Sequence, residues 1–126
     1  TDTGGVVYHS NYLNFMERAR TEWLRSFGFE QDELRRRDGV IFAVSAVNIA
    51  FRKPARFNEL LAVTVDVVRR GAASLTLAQE VRRADEVLAS AEVRIACIDA
   101  ERFAPVAIPA PVAARIVAAR GEPGSR

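Results

Sequence analysis

The sequence predicts an α+β fold: one long helix followed by a run of antiparallel strands. Three observations predict it. Between Asn11 and Phe27 the apolar residues recur at helical spacing. From Val40 to Ile98 the pattern changes to β-rich runs, several of them alternating, punctuated by turn residues. Helix and strands are segregated along the chain rather than interleaved, which argues against a parallel βαβ sheet.

The helix comes first. At 100° per residue Tyr12, Leu13, Phe15, Met16, Ala19, Trp23, Leu24 and Phe27 fall within one half of the cylinder. Asn14, Arg18, Thr21 and Arg25 point away. Ser10 or Asn11 suits the start as a cap, and Gly28 suits a left-handed stop. A short second helix is expected over 31–37, ending at Asp38-Gly39. Its Arg35-Arg36-Arg37 run reads as a solvated end at the negative pole of the helix.

Four strands are expected next. Val40 to Phe51 is rich in β-branched and aromatic residues, and Pro54 closes it. Leu60 to Arg70 alternates, with Leu61, Val63, Val65 and Val67 on one face. After a turn at Gly71, Ser74 to Arg83 places Leu75, Leu77, Gln79 and Val81 opposite Thr76, Ala78 and Glu80. A hairpin at Asp85-Glu86 returns the chain as Val87 to Ile98, and Asp99 to Phe103 makes a further turn. Pro111 suits the first turn of a last short helix, 112–119. Gly121 to Arg126 is expected to be a disordered tail, so one domain spans residues 1–120.

Length and composition agree with one domain. The chain has 126 residues, enough for a single core. No apolar run approaches the roughly 20 residues of a membrane span. The formal charge of +2 is too small for a dedicated nucleic-acid surface. Cys97 is the only cysteine, which excludes an intrachain disulfide and suits a reducing cytoplasm, the expected location. It lies in an apolar run and reads as a small core residue.

The chemistry-bearing residues gather before the helix. Gly4-Gly5 allows a sharp turn and close backbone approach to a ligand. A helix beginning near His9 offers unpaired N–H groups and a positive pole, suited to a carbonyl oxygen or oxyanion. Asp2, across the glycine turn, can fold back to the same point as an acid/base or nucleophile. By residue type alone the same residues also make an ordinary turn and cap. A single histidine with scattered carboxylates gives no metal-ligand spacing. There is no serine elbow and no phosphate-binding glycine loop.

The run Asp2-Thr3-Gly4-Gly5-Val6-Val7-Tyr8-His9-Ser10-Asn11-Tyr12-Leu13, followed by Phe15-Met16-Glu17-Arg18-Ala19-Arg20, resembles the signature of hotdog thioesterases. It is most similar to the YbgC-type acyl-CoA thioesterases of the 4-hydroxybenzoyl-CoA thioesterase-like superfamily. Phe51-Arg52-Lys53-Pro54-Ala55-Arg56-Phe57 and Arg70-Gly71-Ala72-Ala73-Ser74-Leu75 corroborate it. The resemblance implies a hotdog fold, with an antiparallel sheet wrapped around the long helix, and hydrolysis of an acyl-CoA to free acid and CoA. It makes Asp2 the general base or nucleophile and gives the backbone N–H of His9 the thioester carbonyl, with the ring assisting. Gly5, Val7 and Tyr8 then line the substrate, and Ser74 stands near the acyl or pantetheine channel. Glu17 and Arg20 read as a local ion pair. Arg69, Arg70, Arg82 and Arg83 are candidates for the CoA phosphates.

No cofactor is implied, since coenzyme A belongs to the substrate. The family's strand ahead of Asp2 has no counterpart here, so the first strand is expected to be missing or truncated. The resemblance also implies that protomers pair sheet edge to sheet edge with the active site at the interface, and an exposed sheet edge argues likewise for a homodimer or tetramer. The alternative is a non-catalytic hotdog protein that binds acyl-CoA or acyl carrier protein. A hotdog dehydratase would pair its histidine differently, and a purely structural partner of an envelope complex is the remaining option.

Overall fold

The computed structural model describes residues 6–7, 9–56 and 59–120. Strand β1, Val6–Val7, leads to helix α1, His9–Ser26. α1 starts two residues earlier than the apolar stripe indicates, so Ser10 and Asn11 lie in its first turn rather than capping it. Its stripe is otherwise as expected: Tyr12, Met16 and Leu24 are buried, Phe15, Trp23 and Phe27 pack against the core, and Leu13 is left exposed. Gly28 ends the helix at φ +91. Its N–H bonds the Arg25 carbonyl at 2.8 Å, and the Phe29 N–H reaches back to Leu24 at 3.3 Å. That is a Schellman closure, completed by contact-ready burial of Leu24 and Phe29.

Helix α2, Gln31–Asp38, is anchored by the buried Leu34 and stopped by Gly39 at φ +69. Strand β2 follows as Val40–Phe51. After Pro54 comes β3, Ala55–Arg56, which pairs antiparallel with β1. The sequence gives no sign of β1 or β3, because two residues are too few to show a period.

The expected strand over 60–70 is divided. β4, Ala62–Val63, pairs with Arg82 and Val81 of strand β6, which spans Ser74–Arg83. β5, Asp66–Arg70, pairs with Ala78 to Leu75 of the same strand. Both halves keep one register as far as Val67, where a bulge intervenes. Between them the Thr64 hydroxyl accepts the Glu80 N–H at 3.0 Å, and the Thr64 N–H donates to the Glu80 carbonyl. A side chain thus takes over part of the ladder. Strand β7, Glu86–Asp99, completes the sheet. Arg83 pairs with Glu86, so the hairpin turn is Ala84-Asp85 rather than Asp85-Glu86. Ala84 takes φ +54 there.

The sheet runs β2-β7-β6-β4, with β5 also on β6. β6 is central, and α1 lies along it. Leu77 and Val81 are fully buried, as is Gln79, which donates to the carbonyl of Met16 in mid-helix at 3.1 Å. On β7 Val93, Ile95 and Cys97 are buried while Glu92 and Arg94 are exposed, the alternation of a half-covered sheet. Helix α3, Ala110–Arg120, adds Val112 and Ile116 to the core. The expected tail over 121–126 lies outside the described residues.

β2 behaves differently. Its outer edge has no strand partner among the described residues. At Phe42 that edge is occupied by a side chain: Gln31 donates to the Phe42 carbonyl and accepts its N–H, both at 3.1 Å. Beyond Phe42 the strand opens, with Val44 46% and Val47 45% exposed.

Candidate active site

Two regions of the molecule carry the candidate residues, one at each end of α1. The first is where β1 runs into the helix. β1 is held by β3, with Val6 opposite Arg56 and Val7 opposite Ala55. His9 then opens α1. The first N–H groups of a helix have no partner within it, and they stand at its positive pole. The backbone of His9 therefore belongs to the first turn of α1, where these donors lie. Asp2, Gly4, Gly5 and Tyr8 lie outside the described residues.

The neighbourhood of this helix start is well fixed. Tyr12, one turn into α1, is buried and donates its hydroxyl to the Lys53 carbonyl at 2.8 Å. Its ring stacks on Phe51, centroids 6.0 Å apart. Burial holds the phenol above its ordinary pKa, so it remains a donor at neutral pH. The Arg52 and Lys53 N–H groups both bond the Leu88 carbonyl. The tip of the β6–β7 hairpin lies beside them. There Arg83 bonds both oxygens of Glu59 at 2.8 and 2.9 Å and Glu86 at 2.9 Å, and Glu86 also pairs with Lys53.

The second region lies toward the C-terminal end of α1. A cleft of about 360 Å³ opens between Glu17, Arg20, Thr21 and Leu24 of α1, the Phe29–Asp32 link, and the sheet residues Phe42, Val44, Leu75 and Ile95. Its floor is apolar and its rim polar, as in small-molecule sites. Glu17 stands roughly 12 Å along the helix from His9 at the ordinary rise per residue. Ser74 begins β6 at this same end. Its hydroxyl accepts from Arg94 at 3.4 Å, and its carbonyl accepts the Gly71 N–H. Within one chain, then, Ser74 and the cleft are set apart from His9 and the helix start.

One expectation changes. Glu17 and Arg20 do not pair: Arg20 turns to the sheet and donates to Gln79 at 2.9 Å. Its guanidinium is partly desolvated, which lowers its pKa. The spacing placed both residues on one helix face, but only the fold shows that β6 offers Arg20 a buried amide. The four candidate arginines fall into two pairs. Arg69 and Arg70 lie at the Gly71 end of β6, and Arg82 and Arg83 at the hairpin end. Arg83 is engaged by two carboxylates. Sequence reading missed Gln79 as a polar tie and missed Gln31 at the β2 edge. The signal for Gln79 was a polar residue on an otherwise apolar face.

A five-stranded antiparallel sheet laid around one long helix is the hotdog arrangement. The chain belongs to the thioesterase-like superfamily, whose family model matches residues 1–116. It is 40% identical over 114 residues to the acyl-CoA thioesterase YbgC of Haemophilus influenzae, covering 90% of this chain and 84% of that protein. It is 36% identical over 115 residues to the acyl-CoA thioester hydrolase YbgC of Escherichia coli, covering 90% and 85%. The crystal structure of a probable thioesterase from Bartonella henselae superposes with a TM-score of 0.81 at 35% identity, covering 86% of this chain and 89% of that one. No helix among the described residues is long and apolar enough to cross a membrane.

Proposed function

We propose that this chain is an acyl-CoA thioesterase that hydrolyses the thioester to free acid and coenzyme A. Asp2 acts as general base on water or as nucleophile, and the backbone N–H of His9 polarises the thioester carbonyl, with the imidazole assisting. Gly5, Val7 and Tyr8 border the reacting group. The observation that carries this reading is a helix whose first residue is His9. A helix start offers unpaired donors, and donors aimed at developing charge are usually the largest single term in acyl-transfer catalysis. The names of the relatives supply the substrate class. Coenzyme A enters as part of the substrate, and the chemistry calls for no cofactor.

The working unit is a dimer. The open edge of β2, from Val44 onward, supplies a surface for pairing with a second copy. Two-fold pairing there brings the helix start of one protomer toward the cleft and Ser74 of its partner, uniting the two regions that one chain keeps apart.

The test is turnover of short, medium, long and aromatic acyl-CoAs by the full-length protein, followed by release of the CoA thiol. Asp2→Asn and Asp2→Ala should lower turnover about 10²-fold or more, as for other positioned acid/base groups. Near-normal turnover by both variants would falsify the reading. Tight acyl-CoA binding with no thiol released by the wild type would identify a binding protein instead.

A further inference from the structure

Lys53 and Glu59 flank β3 in the chain, and β3 holds β1. A two-residue ladder is marginal by itself, so its position depends on what fixes the segment around it. Three kinds of contact do so. Tyr12 bonds the Lys53 carbonyl from the helix side. The Lys53 N–H bonds the Leu88 carbonyl from the sheet side. A chain of ion pairs, Lys53–Glu86–Arg83–Glu59, then joins both ends of the segment to the hairpin tip.

Arg83 is the hinge pin of that chain. One of its terminal nitrogens meets both oxygens of Glu59, and the other meets Glu86. The Arg83 and Glu59 side chains are only 32% and 24% exposed, against 56% for Arg37 in its pair with Asp38. This pair is therefore less screened than the ordinary surface pairs of the molecule. Glu86 is held below the usual carboxylate range by its bonds from Lys53 and Arg83, so it stays ionised through neutral pH.

We infer that Arg83 is a positioning residue for the active site: through Glu59 and Glu86 it fastens Lys53 and Glu59 on either side of β3, and with them the β1–β3 pairing next to the start of α1. This rests on the roles given above to Asp2 and His9. Arg83 need not touch substrate. Its guanidinium is already committed to two carboxylates.

The test compares Arg83→Met, Arg83→Lys and Glu59→Gln with wild type in the full-length protein. Arg83→Met should lower kcat about tenfold, the scale of a small misplacement at a reacting centre. KM should stay within about twofold, since substrate binding is not removed. The melting temperature should fall by no more than about 4 °C, as expected of partly exposed ion pairs. Arg83→Lys should recover part of kcat because one ammonium reaches one carboxylate, and Glu59→Gln should shift kcat in the same direction by less. Hydrogen exchange should quicken at Val6–Val7 and Ala55–Arg56 while the centres of β6 and β7 keep their protection.

Wild-type kcat in Arg83→Met, unchanged exchange at β1 and β3, or a rise in KM alone would each overturn the inference. If Arg83→Met loosens β1–β3 exchange but Asp2→Asn retains turnover, the fastening stands and the assignment of the active site fails instead.

Discussion

The two ends of α1 are built differently. At the start of the helix the chain is clamped: a stacked and hydrogen-bonded Tyr12, a doubly used Leu88 carbonyl and a four-residue ion chain crowd around β3. At the other end the helix stands off the sheet and leaves a cleft, bordered by Val44 on an open strand edge. The difference teaches where one chain stops being sufficient. In the proposed reading the reacting groups, which need fixed positions, belong to the clamped end. The acyl group, which needs apolar volume, belongs to the open end. The separation of the two along α1 and β6 is what leads that proposal to a second copy.

The largest effect should come from closing the open edge. Val44→Lys with Val47→Lys places two charges on the exposed part of β2, where strand pairing would bury them. Light scattering should show a monomer with native circular dichroism, and turnover should fall about 10²-fold as the site loses its other half. A fully active monomer would show that one chain holds a complete site.

Filling the cleft should have a smaller effect. Thr21 is exposed on α1 and lines the cavity. Thr21→Trp should raise KM for acyl-CoAs that fill the cleft about tenfold, near 1.4 kcal/mol of binding, and leave the smallest acyl groups nearly unaffected. Equal loss across all chain lengths would place the acyl group elsewhere.

The smallest effect concerns the stop of α1 at its cleft end. A Cβ on Gly28 meets nothing within 4 Å, so Gly28→Ala costs only backbone strain at φ +91. Thermal unfolding should show a loss of about 1–2 kcal/mol, the ordinary penalty for a left-handed alanine. A much larger loss would mean that the Schellman closure also sets the Phe29–Asp32 wall of the cleft.

The sequence by itself determined the order of elements and most of their bounds. Helical spacing from Tyr12 to Phe27, alternation through Ser74 to Arg83 and the stops at Gly28 and Gly39 depend on local periodicity and on backbone angles that a few neighbours dictate. It also carried the signature around His9, because that motif is contiguous in the chain. Tertiary structure alone decided how those pieces meet. β1 and β3 exist only because each supplies the other's ladder. Thr64 and Gln31 replace strand hydrogen bonds with side chains, as no periodicity could announce. Arg20 chooses Gln79 over Glu17, and Arg83 chooses Glu59 and Glu86, because partners distant in sequence arrive on β6 and the hairpin tip. Local patterns fix what a segment becomes. Pairing between segments depends on which polar groups the packed core leaves facing one another.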